Sequence, residues 1–285
     1  MGKLQSSLLL YTFLGYILTG GIGCAGSKKV SLREIRTPLE YKEVSLDELV
    51  SAVNAQAQAI KTVKASIYID FRSAASEKVQ SIQSKLALER PDKVLLVSFK
   101  ELLPTLFTMV SDGAQFWLQI PSKKEVFTGK AQFHVSNSWE KNPVYRLRPS
   151  HLIDALLLRE IEPDTPSQFV YVEVLPDAYV LNVGLKEETD SKYYPQRRVF
   201  IEREDLRIRQ YQGFNEKGLL VSDVTYGNYK KIGSLTFPHR VDIKRPWEGI
   251  ELTLLFREVQ INTDLNPKMF TFSLPKDYKV VELGN

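Results

Sequence analysis

The sequence predicts a mainly β fold: a strongly curved antiparallel sheet of about eleven strands, an incomplete β-barrel, with two or more helices covering its concave apolar face. Three observations predict it. Apolar residues alternate with a period of two through most of the chain after Ala65. Only two stretches break into helical spacing. The strands are long, consecutive and separated by short turns, so neighbours pair antiparallel, and an open sheet of that size curls or closes. Helices beside such a sheet need an apolar surface, and its inside supplies one.

The chain opens on MGKLQSSLLLYTFLGYILTGGIGCAG. Lys3 supplies a short positive region, Leu8 to Leu18 is mostly apolar, and Gly20, Gly21, Ile22 and Gly23 lead to Cys24, the single cysteine. Residues 1–23 thus have the layout of a secretory signal with a small-residue cleavage site. Tyr11, Thr12, Gly15 and Tyr16 interrupt the run, which falls short of the ~20 apolar residues of a membrane span. The segment Gly21-Ile22-Gly23-Cys24 resembles a bacterial lipobox, with Gly21 where that family usually has Leu. The resemblance implies cleavage before Cys24 and its acylation, which makes Cys24 a lipid attachment site. An ordinary cleaved signal with an incidental cysteine is the alternative. Met1-Gly2 with Ser6 also fits the myristoylation pattern, but that leaves the apolar run unexplained. Acylation of Cys24 leaves no free thiol and no disulfide, so stability has to come from the core.

Residues 24–43 follow as a lipidated cysteine and polar tether, whose extended reach is roughly 60 Å at about 3.3 Å per residue. An ordered first strand is the alternative there. Residues 44–285 read as a single domain long enough to bury a sizeable core. Apolar content of 43% and charged content of 25% are ordinary for a globular protein. The net charge of +4 is spread along the chain, which gives no support to nucleic-acid binding.

Ser45 and Glu48 make a capping box. Leu46, Leu49, Val50, Val53, Ala57 and Ile60 recur at helical spacing, so a helix is expected near 45–62. From Ala65 the period becomes two. ASIYIDF and SKLALER alternate, KVLLVSF is apolar on both faces, LFTMVSDGAQFWLQI turns at Asp112-Gly113, and EVFTG follows. Leu152, Ile153, Leu156 and Leu157 form a second amphipathic helix opened by Pro149. The β pattern then returns in QFVYVEV, AYVLNVGL, RRVFIERE, LRIRQYQGF, LLVSDVTYGNY, LTFPHRVDI and IELTLLFREVQI. Pro238 marks an edge or a bend. The chain finishes on MFTFSLPKDYKVVEL.

An early helix, LERPDKVLLVSF with its Arg90-Pro91-Asp92, a helix between two sets of strands, and LNPKMFTFSLPKDYKVVEL with Phe270, Phe272 and Pro275 together resemble the LolA/LolB lipoprotein-carrier superfamily. The resemblance spans roughly residues 45–283, and Cys24 turns it towards the membrane-anchored LolB type. It implies an incomplete barrel with a helical lid, and a hydrophobic cavity that holds the acyl chains of lipoproteins or lipids. A periplasmic LolA-like carrier delivers them, and the anchored member releases them into the outer membrane without a cofactor. Ala25 stands where well-known relatives carry the Asp of inner-membrane retention, so the expected location is the outer membrane, with a monomeric domain facing the periplasm. Leu102 and Leu103, in FKELLPTLF, are an apolar pair in a connection where polar residues are usual. The resemblance implies that they form a membrane-delivery loop; packing onto the domain's own core is the alternative. Cavity-lining candidates are the inward strand residues Ile67, Ile69, Phe71, Leu86, Leu88, Met109, Trp117, Leu181, Leu254 and Phe256. For each of them, filling a dry core is the alternative.

Catalytic patterns do not assemble. His134, His151 and His239 lack metal-ligand spacing, and no nucleophile elbow, Walker loop or H-E-x-x-H occurs. Ser150, His151 and Asp154 fall on one helix, where a polar face explains them better than a triad converging on a cleft. Glu202 and Glu204 share one strand face and are expected in solvent; Arg198, Arg207 and Arg209 are expected in solvent as well, with a sheet face that meets anionic lipid or a partner protein as the alternative. A non-enzymatic binding protein without metal or cofactor is therefore expected. An envelope sensor on the same scaffold, binding lipid or misfolded envelope proteins, is the alternative, and an anchored scaffold with a filled core is a third.

Overall fold

The structure, a computed structural model, describes residues 43–73, 76–100, 105–131, 143–162, 165, 168–186 and 193–283. All lie within one compact unit, Glu40–Asn285.

Helix α1 spans Leu46–Ala59. Its start is the expected capping box: Ser45 Oγ accepts the Glu48 N–H at 3.2 Å, and the Ser45 N–H donates to Glu48 Oε2 at 2.9 Å. It stops short of residue 62 because Ile60 is already extended. Helix α2 spans Pro149–Leu156, with the proline in its first turn, where a missing N–H removes no helical hydrogen bond.

The strands before α2 are β1 Thr62–Ser73, β2 Ser76–Glu89, β3 Lys93–Phe99, β4 Thr105–Asp112, β5 Gln115–Ile120 and β6 Glu125–Lys130. Those after it are β7 Gln168–Val174, β8 Ala178–Lys186, β9 Tyr193–Glu202, β10 Ile208–Phe214, β11 Leu220–Ile232, β12 Leu235–Arg245, β13 Ile250–Ile261 and β14 Lys279–Glu282. The described residues thus hold fourteen strands rather than about eleven. Two meanders, β1–β6 and β7–β13, join where β1 pairs with β13, from Val63 opposite Ile261 to Ser73 opposite Ile250. The sheet order runs from β14 and β6 through β1 and β13 to β7, leaving a large, curved, unclosed sheet. Pairing is antiparallel except at one edge, where β14 runs parallel to β6. This departs from the all-antiparallel expectation, because β14 arrives by a long return over the sheet rather than through a turn.

Two apolar clusters occupy the interior. In one, Leu152 and Ile153 of α2 pack with inward residues of β1–β5 and β11–β13. In the other, Leu49, Val50 and Val53 of α1 pack on Tyr179, Leu181, Val199, Ile201 and Ile208. Full burial of each such side chain contributes about 1.5–3 kcal/mol. The opposite face of the first meander carries the C-terminal segment. Phe270 is buried beneath the Lys93 ammonium, 5.7 Å from its ring centre. Phe272 stacks on Trp117 with 5.7 Å between ring centres. That cover explains why KVLLVSF and QFWLQI are apolar on both faces.

Candidate functional site

A cavity of about 310 Å³ lies among the last residues of both helices and the strands of the second meander. Its apolar wall includes Ala57 and Ile60 at the end of α1, Leu156 and Leu158 at the end of α2, and Ile208 and Phe237 from the sheet. It opens where β12 loses one neighbour. Leu235 to Pro238 pair with β11, whereas the register with β13 begins only at Arg240 opposite Leu255. Pro238 therefore occupies an edge segment, as its missing N–H requires.

The buried tyrosines and the arginine of the wall are hydrogen-bonded to protein atoms, while Ser234 and Thr236 stand exposed at its edge. Tyr226 donates its hydroxyl to the Ala155 carbonyl at 2.8 Å, and Tyr229 donates to the Ile208 carbonyl at 2.5 Å. Burial raises the pKa of both, so both remain protonated donors. Arg90 donates to three carbonyls: Nε to Ile60 at 2.7 Å, and Nη2 to Ala57 at 2.6 Å and Leu158 at 2.9 Å. One guanidinium therefore fastens the ends of both helices. Partial burial lowers its pKa, with Glu160 opposing, and leaves it a cation. Arg207 and Asp205 form an ion pair at the rim, and the Arg207 guanidinium lies 5.2 Å from the Tyr229 ring centre. With its tyrosines and Arg90 bonded internally, the buried part of the wall is suited to an apolar guest. Its volume is at the small end of the ~300–1,000 Å³ range of ligand sites.

Ile67, Ile69, Phe71, Leu86, Leu88, Met109, Leu254 and Phe256 are buried in the first apolar cluster, and Leu181 in the second, beneath α1. Trp117 faces the other way, opposite Val110 and Thr128 and against Phe272. None of these ten lines the cavity described above. Cys24, Leu102, Leu103 and His134 lie outside the described residues, as does the tether except its last residue, 43. Sequence reasoning missed the cavity because its mark is missing bulk: Ala57, Ala59 and Ala155 stand at the helix ends.

His151 does not turn to Asp154. Its Nδ1 accepts the Arg148 N–H at 3.3 Å, which leaves the proton on Nε2, 2.8 Å from Glu248 Oε2. Glu248 Oε1 accepts Arg245 Nε and Nη2 at 3.0 and 2.7 Å, and its carbonyl accepts Arg146 Nη1 at 2.5 Å. Burial pushes the His151 pKa down to about 4, Glu248 opposing and Arg245 and Arg148 adding to the shift. Burial pushes Glu248 up, but His151 and Arg245 outweigh it and hold its carboxyl at about 2. Of the side chains expected in solvent, Glu204 is exposed, whereas Arg198 meets Glu173 at 3.0 Å, and Arg209 meets Asp177 at 2.7 Å and Glu202 at 3.8 Å. Among the described residues no three His, Cys, Asp or Glu side chains come together to hold a metal. No described helix is long and apolar enough to cross a membrane.

Residues 170–274 match a family described only as uncharacterized protein. None of the curated proteins matches the chain in sequence. Solved structures do share the fold. A LolA superfamily protein from Nitrosomonas europaea is 12% identical with a TM-score of 0.52, over 81% of this chain and 99% of that one. A domain from Vibrio parahaemolyticus, described as outer membrane lipoprotein-sorting, is 15% identical with a TM-score of 0.52, over 78% of this chain and 95% of that one. A DUF1329 family protein from Desulfovibrio piger is 13% identical with a TM-score of 0.52, over 78% and 94%. At such identities the likeness establishes the fold.

Proposed function

We propose that this protein is a lipid-anchored acceptor of acyl chains, of the LolB kind, which receives lipoproteins or lipids and helps insert them into the outer membrane. The observation that carries this reading is the cavity: a largely apolar space whose buried tyrosines and arginine are bonded internally, between two helix ends and the open part of a LolA-type sheet. The lipoprotein-sorting description of the Vibrio parahaemolyticus domain supports it. Cys24 carries the anchor, Leu102 and Leu103 form the delivery loop, and the domain works in the periplasm as a monomer supplied by a LolA-like carrier. The helices act as a cover over the concave apolar face of the sheet, and their ends gate the cavity. The protein acts by binding rather than catalysis. Each methylene moved from water into such a site contributes about 0.8 kcal/mol, so one acyl chain binds without a specific hydrogen bond.

A fluorescent acylated lipopeptide tests this. Wild-type protein is expected to bind it, and Ala59→Trp, which fills the cavity from a half-buried position, to lose at least tenfold in affinity at unchanged melting temperature. Unchanged affinity in that variant, or no binding by either protein, contradicts the proposal.

A further inference from the structure

β11 and β12 run on beyond their neighbours. β10 pairs with β11 only as far as Gln210 opposite Thr225, and β13 pairs with β12 only from Leu255 opposite Arg240. Past those pairs the two strands continue as a ribbon, from Tyr229 opposite Pro238 to Ile232 opposite Leu235. A two-stranded ribbon without neighbours is marginally stable on its own. This one forms a side of the cavity, which Tyr229, Ser234, Leu235, Thr236, Phe237 and Pro238 all line. The ribbon bends at its base. Its register passes from Gly227 opposite Arg240 to Tyr229 opposite Pro238, which leaves Asn228 and His239 out of the ladder. Asn228 has φ +52°, in the left-handed region that asparagine tolerates better than most residues. A Cβ at Gly227 would meet nothing within 4 Å, so the bend is free of packing on that side.

Base and tip of the ribbon are fastened differently. At the base, Tyr226 holds the Ala155 carbonyl, and Phe237 and Pro238 are buried, Phe237 edge-on to Phe256 with 5.1 Å between ring centres. At the tip, none of residues 230–236 is buried, and Ile232 rests half-buried against the first apolar cluster. Among the described residues, one hydrogen bond ties residues 229–236 to the rest of the sheet, from the Tyr229 hydroxyl to the Ile208 carbonyl. It crosses the gap where the β10–β11 ladder has ended. The helix ends on the other side of the cavity are held by the three Arg90 hydrogen bonds.

We propose that residues 229–236 are a flap over the cavity, with Asn228 and Pro238 at its hinge and the Tyr229 hydroxyl as its latch. This rests on the reading of the cavity as an acyl-chain site: the flap is the moving side of its entrance, and the helix ends are the fixed side. Hinges are a few residues at the ends of elements that absorb a change in backbone angles, and the bend at Asn228 is such a place. Opening takes one half-buried apolar side chain, Ile232, off the core and leaves Phe237 in place at the pivot. The latch closes over an empty cavity and a filled one alike. It therefore sets how fast a guest enters and leaves, and not how tightly it is held.

The test uses the full chain with Cys24→Ser and one new cysteine, Ala57→Cys, on the cavity wall, where Ala57 is 3% exposed. Its rate of labelling by a bulky polyethylene glycol maleimide reads the opening. Adding Tyr229→Phe is expected to speed labelling roughly fivefold, the worth of one net hydrogen bond. Labelling of Val94→Cys, a buried position that does not line the cavity, is expected to stay unchanged. Equal rates with and without the Tyr229 hydroxyl overturn the latch, as does a speeding that Val94→Cys shares, which marks general loosening. The labelling needs no guest, so its result stands apart from whether wild-type protein binds lipopeptide. With a fluorescent lipopeptide bound, entry and release are both expected to quicken in Tyr229→Phe at unchanged affinity. Release that quickens alone, with affinity lost, overturns the latch and makes Tyr229 part of the wall.

Discussion

His151 donates from Nε2 to Glu248 Oε2 across 2.8 Å in the interior, joining α2 to the turn between β12 and β13. The imidazole is neutral there, and the carboxylate is shared with Arg245. A pH-dependent stability follows. The fold holds His151 neutral down to about pH 4, whereas an unfolded histidine takes its proton near pH ~6.5. Acidification through that window therefore favours the unfolded chain. About 2 kcal/mol is expected to be lost between pH ~7 and ~5 from this group. Glu248 adds a further loss as pH falls from the ordinary carboxylate range towards about 2. Urea unfolding across pH checks this, and His151→Gln is expected to flatten the slope above pH ~5.

Arg90 is expected to act as a fastener for both helix ends. Arg90→Met removes three hydrogen bonds to carbonyls and is expected to cost roughly 2–4 kcal/mol, because charge-assisted bonds contribute most and their carbonyls lose their partner. Arg90→Lys recovers only part, since a point charge does not replace a planar fork. Hydrogen exchange locates the effect: amides near residues 57–60 and 155–158 are expected to speed up well before those of β2 and β3.

Gly184 lets Phe169 lie across the β7–β8 pair. A Cβ at Gly184 would come within 2.3 Å of Phe169 Cζ and 2.8 Å of the Tyr194 carbonyl oxygen. The ring can swing away but the strand backbone cannot, so Gly184→Ala is expected to cost about 1–3 kcal/mol by overpacking. A thermal melt reads the loss, and exchange measurements are expected to show β7 loosening first.

Phe270 holds the C-terminal return against the first meander. Phe270→Ala is expected to cost about 3–5 kcal/mol, the range for removing a buried aromatic ring. Protease sensitivity after residue 264 checks that the segment, and not the whole sheet, is released first.

The fold was legible where the local rule was strong. Ser45 and Glu48 announced α1, Pro149 announced α2, and period two revealed the strands. The sense of Trp117 was not legible, because Phe116, Trp117 and Leu118 are apolar in succession and alternation then fixes no face. Only the return of Phe270 and Phe272 over that face resolves it, and this contact spans more than a hundred residues. Nor does KVVE distinguish a parallel edge strand from a tail. The candidate cavity residues were chosen for bulk, and bulky residues fill a core. The space itself lies beside alanines at the helix ends, where the absence of side chain leaves no periodic mark. Arg90-Pro91-Asp92 stood out in the sequence through its family resemblance; the three carbonyls on Arg90 supply its physical reason.

Native mass spectrometry of the gently purified chain carrying Cys24→Ser, so that the proposed anchor lipid cannot be attached, tests the acyl-chain reading most directly. The account predicts a co-purified acylated species that is displaced by added lipopeptide and absent from Ala59→Trp. A chain that is empty in every preparation, and stays empty with added fatty acid or lipopeptide, would contradict it.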